Sequence, residues 1–286
     1  DKWKTGQLPP KTAYIQAFIT DNPYIPQEYL DSLKLLPRYQ YEVFVEGNWD
    51  IALKQGGEFY KCFELDKHVG HCEYDPTMAL HISWDENVNP YLPCGIFQIE
   101  GKAIKMIDLI LGRNPRNTIK DVCNEFKRKY PNHTAGLFIY GDATSQKDDV
   151  KIEKGHNFFR LIQTELLNYK PVMRIAASNP SVAMRGNFIN TILEKELNGI
   201  SFMIDDKLKE AINDFINLKE AADGTKNKTM ATDPKTKTRY QEWGHITDLT
   251  DYLICYAFAN EYSQYQKGGL SFLPSYGRNS NAKHAY

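Results

Sequence analysis

Apolar positions along the chain predict a succession of strands and helices. Three apolar segments separated by short links predict strands at 78–84, 94–100 and 103–110. Apolar residues then recur at helical spacing from Ile119 to Tyr130. Beyond this helix the pattern alternates, with strands predicted at 137–140, 172–176 and 200–204 and helices predicted at 158–169, 181–197 and 208–218.

The order of these elements predicts an α/β fold. Three successive strands with short links favour antiparallel pairing, whereas strands separated by helices favour parallel crossovers. This order fits a ribonuclease H-like mixed sheet, with three antiparallel strands followed by parallel strands and helices on its faces. A last apolar helix is predicted at 246–262, and the polar segment 223–241 before it is expected to form a hairpin or loop. Gly56-Gly57 is the best candidate for a domain boundary.

Composition limits the classes of function that the chain can have. The 286 residues carry 35 Lys and Arg against 36 Asp and Glu, so the net charge is −1 and nucleic-acid contacts must come from local basic patches. Five cysteines, an odd number without a framework spacing, favour reduced thiols and an intracellular setting. The sequence has no glycine-rich phosphate-binding loop of the Walker type, so an ATP site of that type is not expected in it.

Three acidic residues occupy positions typical of a metal site. Asp85 follows the predicted strand 78–84, Asp142 follows the predicted strand 137–140, and Asp248 lies in the last apolar helix. Acids at the carboxyl ends of neighbouring strands point into one crevice, and an acid on a buried helix is costly unless it is paired or binds metal. Converging carboxylates favour Mg²⁺ or Mn²⁺, and two such ions could clamp the oxygens of a phosphodiester. Each acid taken singly also fits a turn or cap role.

Further residues could complete this site. Asp108 and Asp251 are rival acids, and Asp251 shares roughly one helix face with Asp248, so either of these two could be the third ligand. His245 lies one turn before Asp248 and could orient a carboxylate or contact a phosphate. Basic residues that could bind DNA phosphates surround the predicted site: Lys147, Arg185, Lys235, Lys237 and Arg239.

Several motifs resemble, in order, those of the large terminase subunits of tailed bacteriophages. The similar segments are 22–26 through 47–49, Trp84-Asp85-Glu86-Asn87-Val88-Asn89-Pro90, Tyr140-Gly141-Asp142-Ala143-Thr144, 178–182 through Asn190, and His245-x-x-Asp248-x-x-x-Tyr252. The resemblance implies a ribonuclease H-like endonuclease that cuts double-stranded viral DNA during packaging, with Asp85, Asp142 and Asp248 holding two Mg²⁺ or Mn²⁺ ions. Asp251 stands where relatives often carry Arg or Gly.

The same resemblance implies how the chain is organised and where it acts. Residues 1–56 would be a linker and a remnant of an upstream ATPase region, 57–262 the nuclease domain, and 263–286 a flexible tail. Portal and small terminase subunits would be partners of the full-length protein, and the host cytoplasm its place of action. Two other functions stay open: a different ribonuclease H-like nuclease such as a junction resolvase, and a non-catalytic module that docks to the packaging machinery.

Overall fold

The computed structural model describes residues 18–35, 41, 45–46, 57–87, 89–146, 157–233 and 237–269. Lys147, Lys235, much of the predicted linker 1–56 and residues 270–286 of the predicted tail lie outside the described residues. Within the described ranges, no helix has the length and apolar character that crossing a membrane requires.

A seven-stranded mixed sheet forms the centre of the fold. Its strands are β1 (Val69–Gly70), β2 (Leu80–Trp84), β3 (Leu92–Glu100), β4 (Ala103–Gly112), β5 (Leu137–Gly141), β6 (Val172–Met173) and β7 (Ser201–Asp205), in the spatial order β1-β7-β4-β3-β2-β5-β6. β2, β3 and β4 pair antiparallel, and the remaining neighbours pair parallel. The predicted mixed sheet, with three antiparallel strands and further strands in parallel, is confirmed.

Helices cover both faces of this sheet. They are α1 (Gln27–Leu33), α2 (Leu65–His68), α3 (Ile119–Lys129), α4 (Phe158–Glu165), α5 (Val182–Lys195), α6 (Lys209–Asn217), α7 (His245–Ala257) and α8 (Ala259–Gly269). The polar segment before α7 forms a hairpin of β8 (Met230–Thr232) and β9 (Arg239–Gln241), one of the two forms expected from its sequence.

Two buried apolar clusters divide the core, one on each face of the sheet. On one face, Leu80, Ile82 and Trp84 of β2 pack with the buried side chains of α3 and α4. On the other, Phe97 of β3 and Met106 of β4 belong to the cluster that α5, α6, α7 and α8 complete. Because side chains alternate along a strand, β3 and β4 contribute to both clusters.

Helix α7 packs directly against β2 and β3 of the sheet. A Cβ atom on Gly95 of β3 would stand 2.6 Å from a methyl carbon of Leu249, so any larger residue here would require the Leu249 side chain to shift. The Ser83 hydroxyl of β2 donates a hydrogen bond of 2.5 Å to the Leu249 carbonyl. These contacts fix the height of α7 above β2, and with it the position of the side chains at the start of the helix.

The sequence-based prediction was wrong in two places near the C-terminus. The single helix predicted at 246–262 is two helices, because Phe258 leaves helical geometry between α7 and α8. Residues 263–269, predicted as part of a flexible tail, continue α8. The division at residue 56 stays a prediction, because residues 47–56 lie outside the described part of the chain.

Candidate functional site

Sheet topology brings the three predicted acids to one edge. β2 and β5 pair in parallel with Trp84 opposite Gly141, so Asp85 and Asp142, the next residue of each strand, emerge side by side. Helix α7 packs across β2, β3 and β5 and carries Asp248 in its first turn. Burial raises the pKa of Asp85, and the charges of Asp248 and Asp142 raise it further against the opposing hydrogen bond of His245. Asp248 and Asp142 therefore both repel the negative charge of Asp85.

The start of α7 is fixed by an acid that sequence reasoning did not single out. Asp214 of α6 is 1% exposed and accepts hydrogen bonds from the backbone amides of Gly244 (2.6 Å), Ile246 (2.9 Å) and Thr247 (2.8 Å). Gly244 adopts a φ of 112°, a conformation that L-residues rarely adopt. Asp214 thus satisfies the free amides of the helix start and sets the direction in which α7 leaves it.

His245 orients Asp85. Its Nδ1 lies 2.8 Å from Oδ2 of Asp85, and its Nε2 lies 3.1 Å from the carbonyl of Gln241. Burial alone would lower the pKa of His245, but the hydrogen bond to Asp85 and the charge of Asp85 raise it. The Oδ1 atom of Asp85 accepts no hydrogen bond from any described residue and is the oxygen available to a ligand.

Asp142 is held by polar partners on both oxygens. Its Oδ1 accepts hydrogen bonds from Asn179 Nδ2 (2.7 Å) and from the amide and hydroxyl of Thr144 (2.6 Å each). Its Oδ2 accepts a bond of 3.2 Å from the Tyr252 hydroxyl, one helix turn beyond Asp248. These bonds fix the Asp142 carboxylate without supplying a full opposite charge.

Asp248 and Asp251 differ sharply in their surroundings. The Asp248 side chain is 20% exposed; its Oδ1 accepts bonds from Arg185 and from Lys226, the latter at 2.8 Å, while its Oδ2 has no partner among the described residues. Asp251 is fully buried, with Oδ1 bonded to the Tyr60 hydroxyl at 2.6 Å and Oδ2 to Arg185 (2.9 Å) and Lys226 (2.7 Å). Both oxygens of Asp251 are thus engaged inside the protein.

The predicted DNA-binding residues fall into different environments. Arg185 is 3% exposed and faces the two acids of α7 instead of solvent. Lys237 and Arg239 are exposed on the β8–β9 hairpin, and Lys147 and Lys235 lie outside the described residues. The rival acid Asp108 pairs with Lys129 of α3 at 2.7 Å, on the opposite face of the sheet from α7.

The donor set suits a hard divalent cation, although the ligands are not drawn together. Within the described ranges, no group of three or more His, Cys, Asp or Glu side chains is arranged to hold a metal ion. Asp85 and Asp248 each present one unbonded carboxylate oxygen, and oxygen donors are what Mg²⁺ and Mn²⁺ prefer. The repulsion of Asp85 by Asp142 and Asp248 is the electrostatic feature that such an ion would relieve.

Comparison with known proteins identifies the fold. No protein-family model matches the sequence, and no curated protein is similar to it. The large terminase of a thermophilic bacteriophage, solved in complex with ATP-gamma-S, superimposes with a TM-score of 0.54 and 12% identity, over 85% of this chain and 55% of that one. The ADP complex of the same terminase gives a TM-score of 0.53 at 12% identity, over 84% and 54% of the two chains. This chain shares its fold with a large terminase.

The likeness confirms, at the level of the fold, the resemblance that the sequence motifs indicated. The chain spans about half the length of the terminase that it matches. A nuclease domain of the phage P22 large terminase gives a TM-score of 0.45 at 12% identity over 74% of this chain and 93% of that domain.

Proposed function

We propose that the chain is a metal-dependent endonuclease that cuts double-stranded DNA during the packaging of a viral genome. The observation that supports this proposal is the placement of Asp85 and Asp142 directly after paired strands, with Asp248 in the first turn of the helix that packs across those strands. The likeness to the fold of a large terminase supports DNA packaging as the setting. The three acids also lie within the sequence motifs that resemble those of terminases.

Two Mg²⁺ or Mn²⁺ ions are the proposed cofactors. When bound, such ions activate a water molecule and stabilise the charge that develops on the phosphodiester oxygens. Asp85 and Asp248 would each contribute the oxygen that is unbonded here, and Asp142 would exchange one of its hydrogen bonds for the ion. Asp251 is assigned a supporting role, since both of its oxygens already have partners.

The surrounding residues hold these carboxylates in place. His245 orients Asp85, Asn179 and Tyr252 orient Asp142, and Arg185 orients Asp248. Such supporting contacts fix the rotamers of ligands before metal arrives and are often worth ten- to a hundredfold in affinity or activity. We assign Arg185 to this group and not to direct contact with DNA.

Contacts with DNA are proposed for Lys147, Lys235, Lys237 and Arg239. The hairpin that carries Lys237 and Arg239 leads directly into α7, so a duplex at the site would pass near it. Contacts of this kind go mostly to phosphates and carry little sequence preference. Residues 1–56 would be a linker and a remnant of the ATPase region of a longer protein, which would work with portal and small terminase subunits in the host cytoplasm.

Substitution of Asp85 tests the proposal. We expect Asp85→Asn to lower Mg²⁺- or Mn²⁺-dependent cleavage of plasmid DNA by more than about a hundredfold, because loss of a ligand should cost more than loss of a supporting contact. Duplex binding should persist, since the change removes a negative charge from the cleft. Asp108→Asn is the matched control, because Asp108 lies on the same sheet but on its other face.

Each alternative predicts a different result in the same assay. Cleavage by Asp85→Asn at the level of the parent protein would remove Asp85 from the mechanism. A non-catalytic docking module would show no metal-dependent cleavage in the parent protein either. A junction resolvase would cut four-way junctions in strong preference to linear duplex.

A further inference from the structure

A buried lysine lies directly against the third carboxylate of the proposed metal site. Lys226 Nζ is 2.8 Å from Oδ1 of Asp248 and 2.7 Å from Oδ2 of Asp251, and its side chain is 4% exposed. The rings of Phe59 and Tyr60 lie 5.3 Å from the same nitrogen. A buried ammonium ion with two carboxylates and two aromatic faces around it is held firmly in one position.

The loop that carries Lys226 is tied to the rest of the fold. The backbone of Lys226 bridges Glu220, and Lys219 in turn bridges Glu58 in the segment that contains Phe59 and Tyr60. Turn bonds within 221–225 close the loop between these bridges. The backbone bonds of this loop therefore determine the position of the Lys226 ammonium group beside Asp248 and Asp251.

Charge balance shows what this lysine does to the site. Asp248 and Asp251 carry two negative charges, and Arg185 and Lys226 carry two positive charges in direct contact with them. The pair of acids on α7 is thus neutralised by the protein itself. Asp85 and Asp142 are left as the cleft's main source of uncompensated negative charge, with His245 paired to the first.

We propose that Lys226 is a positioning residue that acts as a tethered cation at Asp248, holding Oδ1 away from the cleft and weakening the binding of divalent ions. This inference rests on the proposed function, because it concerns the metal site assigned there. Removal of Lys226 leaves Asp248 with one positive partner instead of two, so the cleft becomes more negative. A divalent ion and a unit charge roughly 5 Å apart interact strongly enough, even in a water-like dielectric, to change an affinity about tenfold.

Calorimetric titration of the protein with Mn²⁺, without DNA, tests the inference. We expect Lys226→Met to tighten Mn²⁺ binding by about tenfold and Lys226→Arg to stay within about threefold of the parent protein, because arginine keeps the charge. Lys219→Met is the matched control: it removes the same charge from the same loop, where Lys219 pairs with Glu58 at 2.7 Å. It should leave Mn²⁺ affinity unchanged.

A charge-balanced double variant separates charge from shape. Asp251→Asn keeps the size of the side chain and its place beside Tyr60, so Lys226→Met combined with Asp251→Asn restores the net charge of the cluster. We expect its Mn²⁺ affinity to return toward that of the parent protein. If Lys226→Met does not fold, as judged by circular dichroism, the comparison moves to the Asp251→Asn background, where removal of Lys226 should again tighten binding about tenfold.

The outcomes distinguish this inference from the proposed function. Unchanged or weaker Mn²⁺ binding by Lys226→Met, with normal binding and cleavage by the parent protein, overturns the role of Lys226 alone. Failure of the double variant to reverse the gain would show that Lys226 acts through shape and would also overturn the inference. A parent protein that neither binds Mn²⁺ nor cleaves DNA overturns both.

Discussion

Removal of the Asp214 carboxylate should destabilise the fold and disturb the metal site from a distance. Asp214 accepts three backbone hydrogen bonds at the start of α7, from Gly244, Ile246 and Thr247, at 2.6–2.9 Å. It is not itself among the proposed ligands. Asp214→Ala takes away every one of these side-chain acceptor bonds while leaving the residues of the site unchanged.

The size of the effect follows from these bonds. A hydrogen bond to a charged acceptor contributes about 1.5–3 kcal/mol, and replacing a helix cap by alanine usually costs about 1 kcal/mol. Asp214 is 1% exposed, so water reaches the freed amides poorly and the loss should exceed that of a surface cap. Burial raises the pKa of Asp214 and thus opposes the charged form, which reduces the net gain from the three bonds. We therefore expect a loss of about 3–5 kcal/mol in the free energy of unfolding.

Urea unfolding followed by circular dichroism measures this loss, and Mn²⁺ titration measures its effect on the site. The urea concentration at the unfolding midpoint should fall. The slope of the free energy of unfolding against urea concentration should change little, because the same surface is exposed on unfolding. Asp206→Ala is the control, since the Asp206 side chain is exposed and donates or accepts no bond at the start of α7 within the described chain. A loss below about 1 kcal/mol would refute the view that Asp214 holds this helix.

Two further predictions concern charge. Burial lowers the pKa of His81 to about 4. Between about pH 6.5 and about pH 4 the unfolded chain therefore binds a proton at His81 that the folded protein does not bind. The free energy of unfolding should consequently fall by about 2 kcal/mol between pH 7 and pH 5. His81→Gln should lose this part of the drop in urea unfolding at the two pH values, and an unaltered drop would assign it to other groups. Replacing Lys235, Lys237 and Arg239 together by neutral residues should weaken binding to any duplex, as measured by fluorescence anisotropy. The slope of log affinity against log salt concentration should become shallower by roughly 0.9 for each phosphate that is no longer bound. Mn²⁺ affinity should not change, and an unaltered salt slope would show that the hairpin stays clear of the DNA.

Much of the sheet could be predicted because its strands are buried and sharply bounded. β2, β3 and β4 follow apolar runs that turn signals interrupt, and their observed ends differ from the predicted ones by two residues or fewer. The two-residue strand β1 carries no such pattern and escaped notice. The break at Phe258 was also invisible, because the apolar run continues across it and helix periodicity does not register a change of axis.

The acids at the ends of β2 and β5 were also accessible to sequence reasoning. Both follow apolar runs directly, and parallel pairing then brings them together. The cations could not be found in this way. Lys226 lies in a polar segment whose composition is typical of a solvated loop, and only the tertiary bridges of that segment bury it against α7. Arg185 similarly looked like a phosphate ligand near a helix start, because its partners come from a distant part of the chain.

The contrast between Asp248 and Asp251 shows why spacing could not choose between them. Three residues apart on α7, they share roughly one face, and either could be a ligand by that criterion. What separates them is the origin of their partners: Tyr60 from the segment before β1 bonds only Asp251, whereas Arg185 and Lys226 bridge both acids. Asp251 is consequently enclosed, whereas Oδ2 of Asp248 has no hydrogen-bond partner among the described residues. The proposal that Asp248 is the helix ligand therefore depends on residues from three other segments of the chain, whose positions beside α7 the sequence pattern does not indicate.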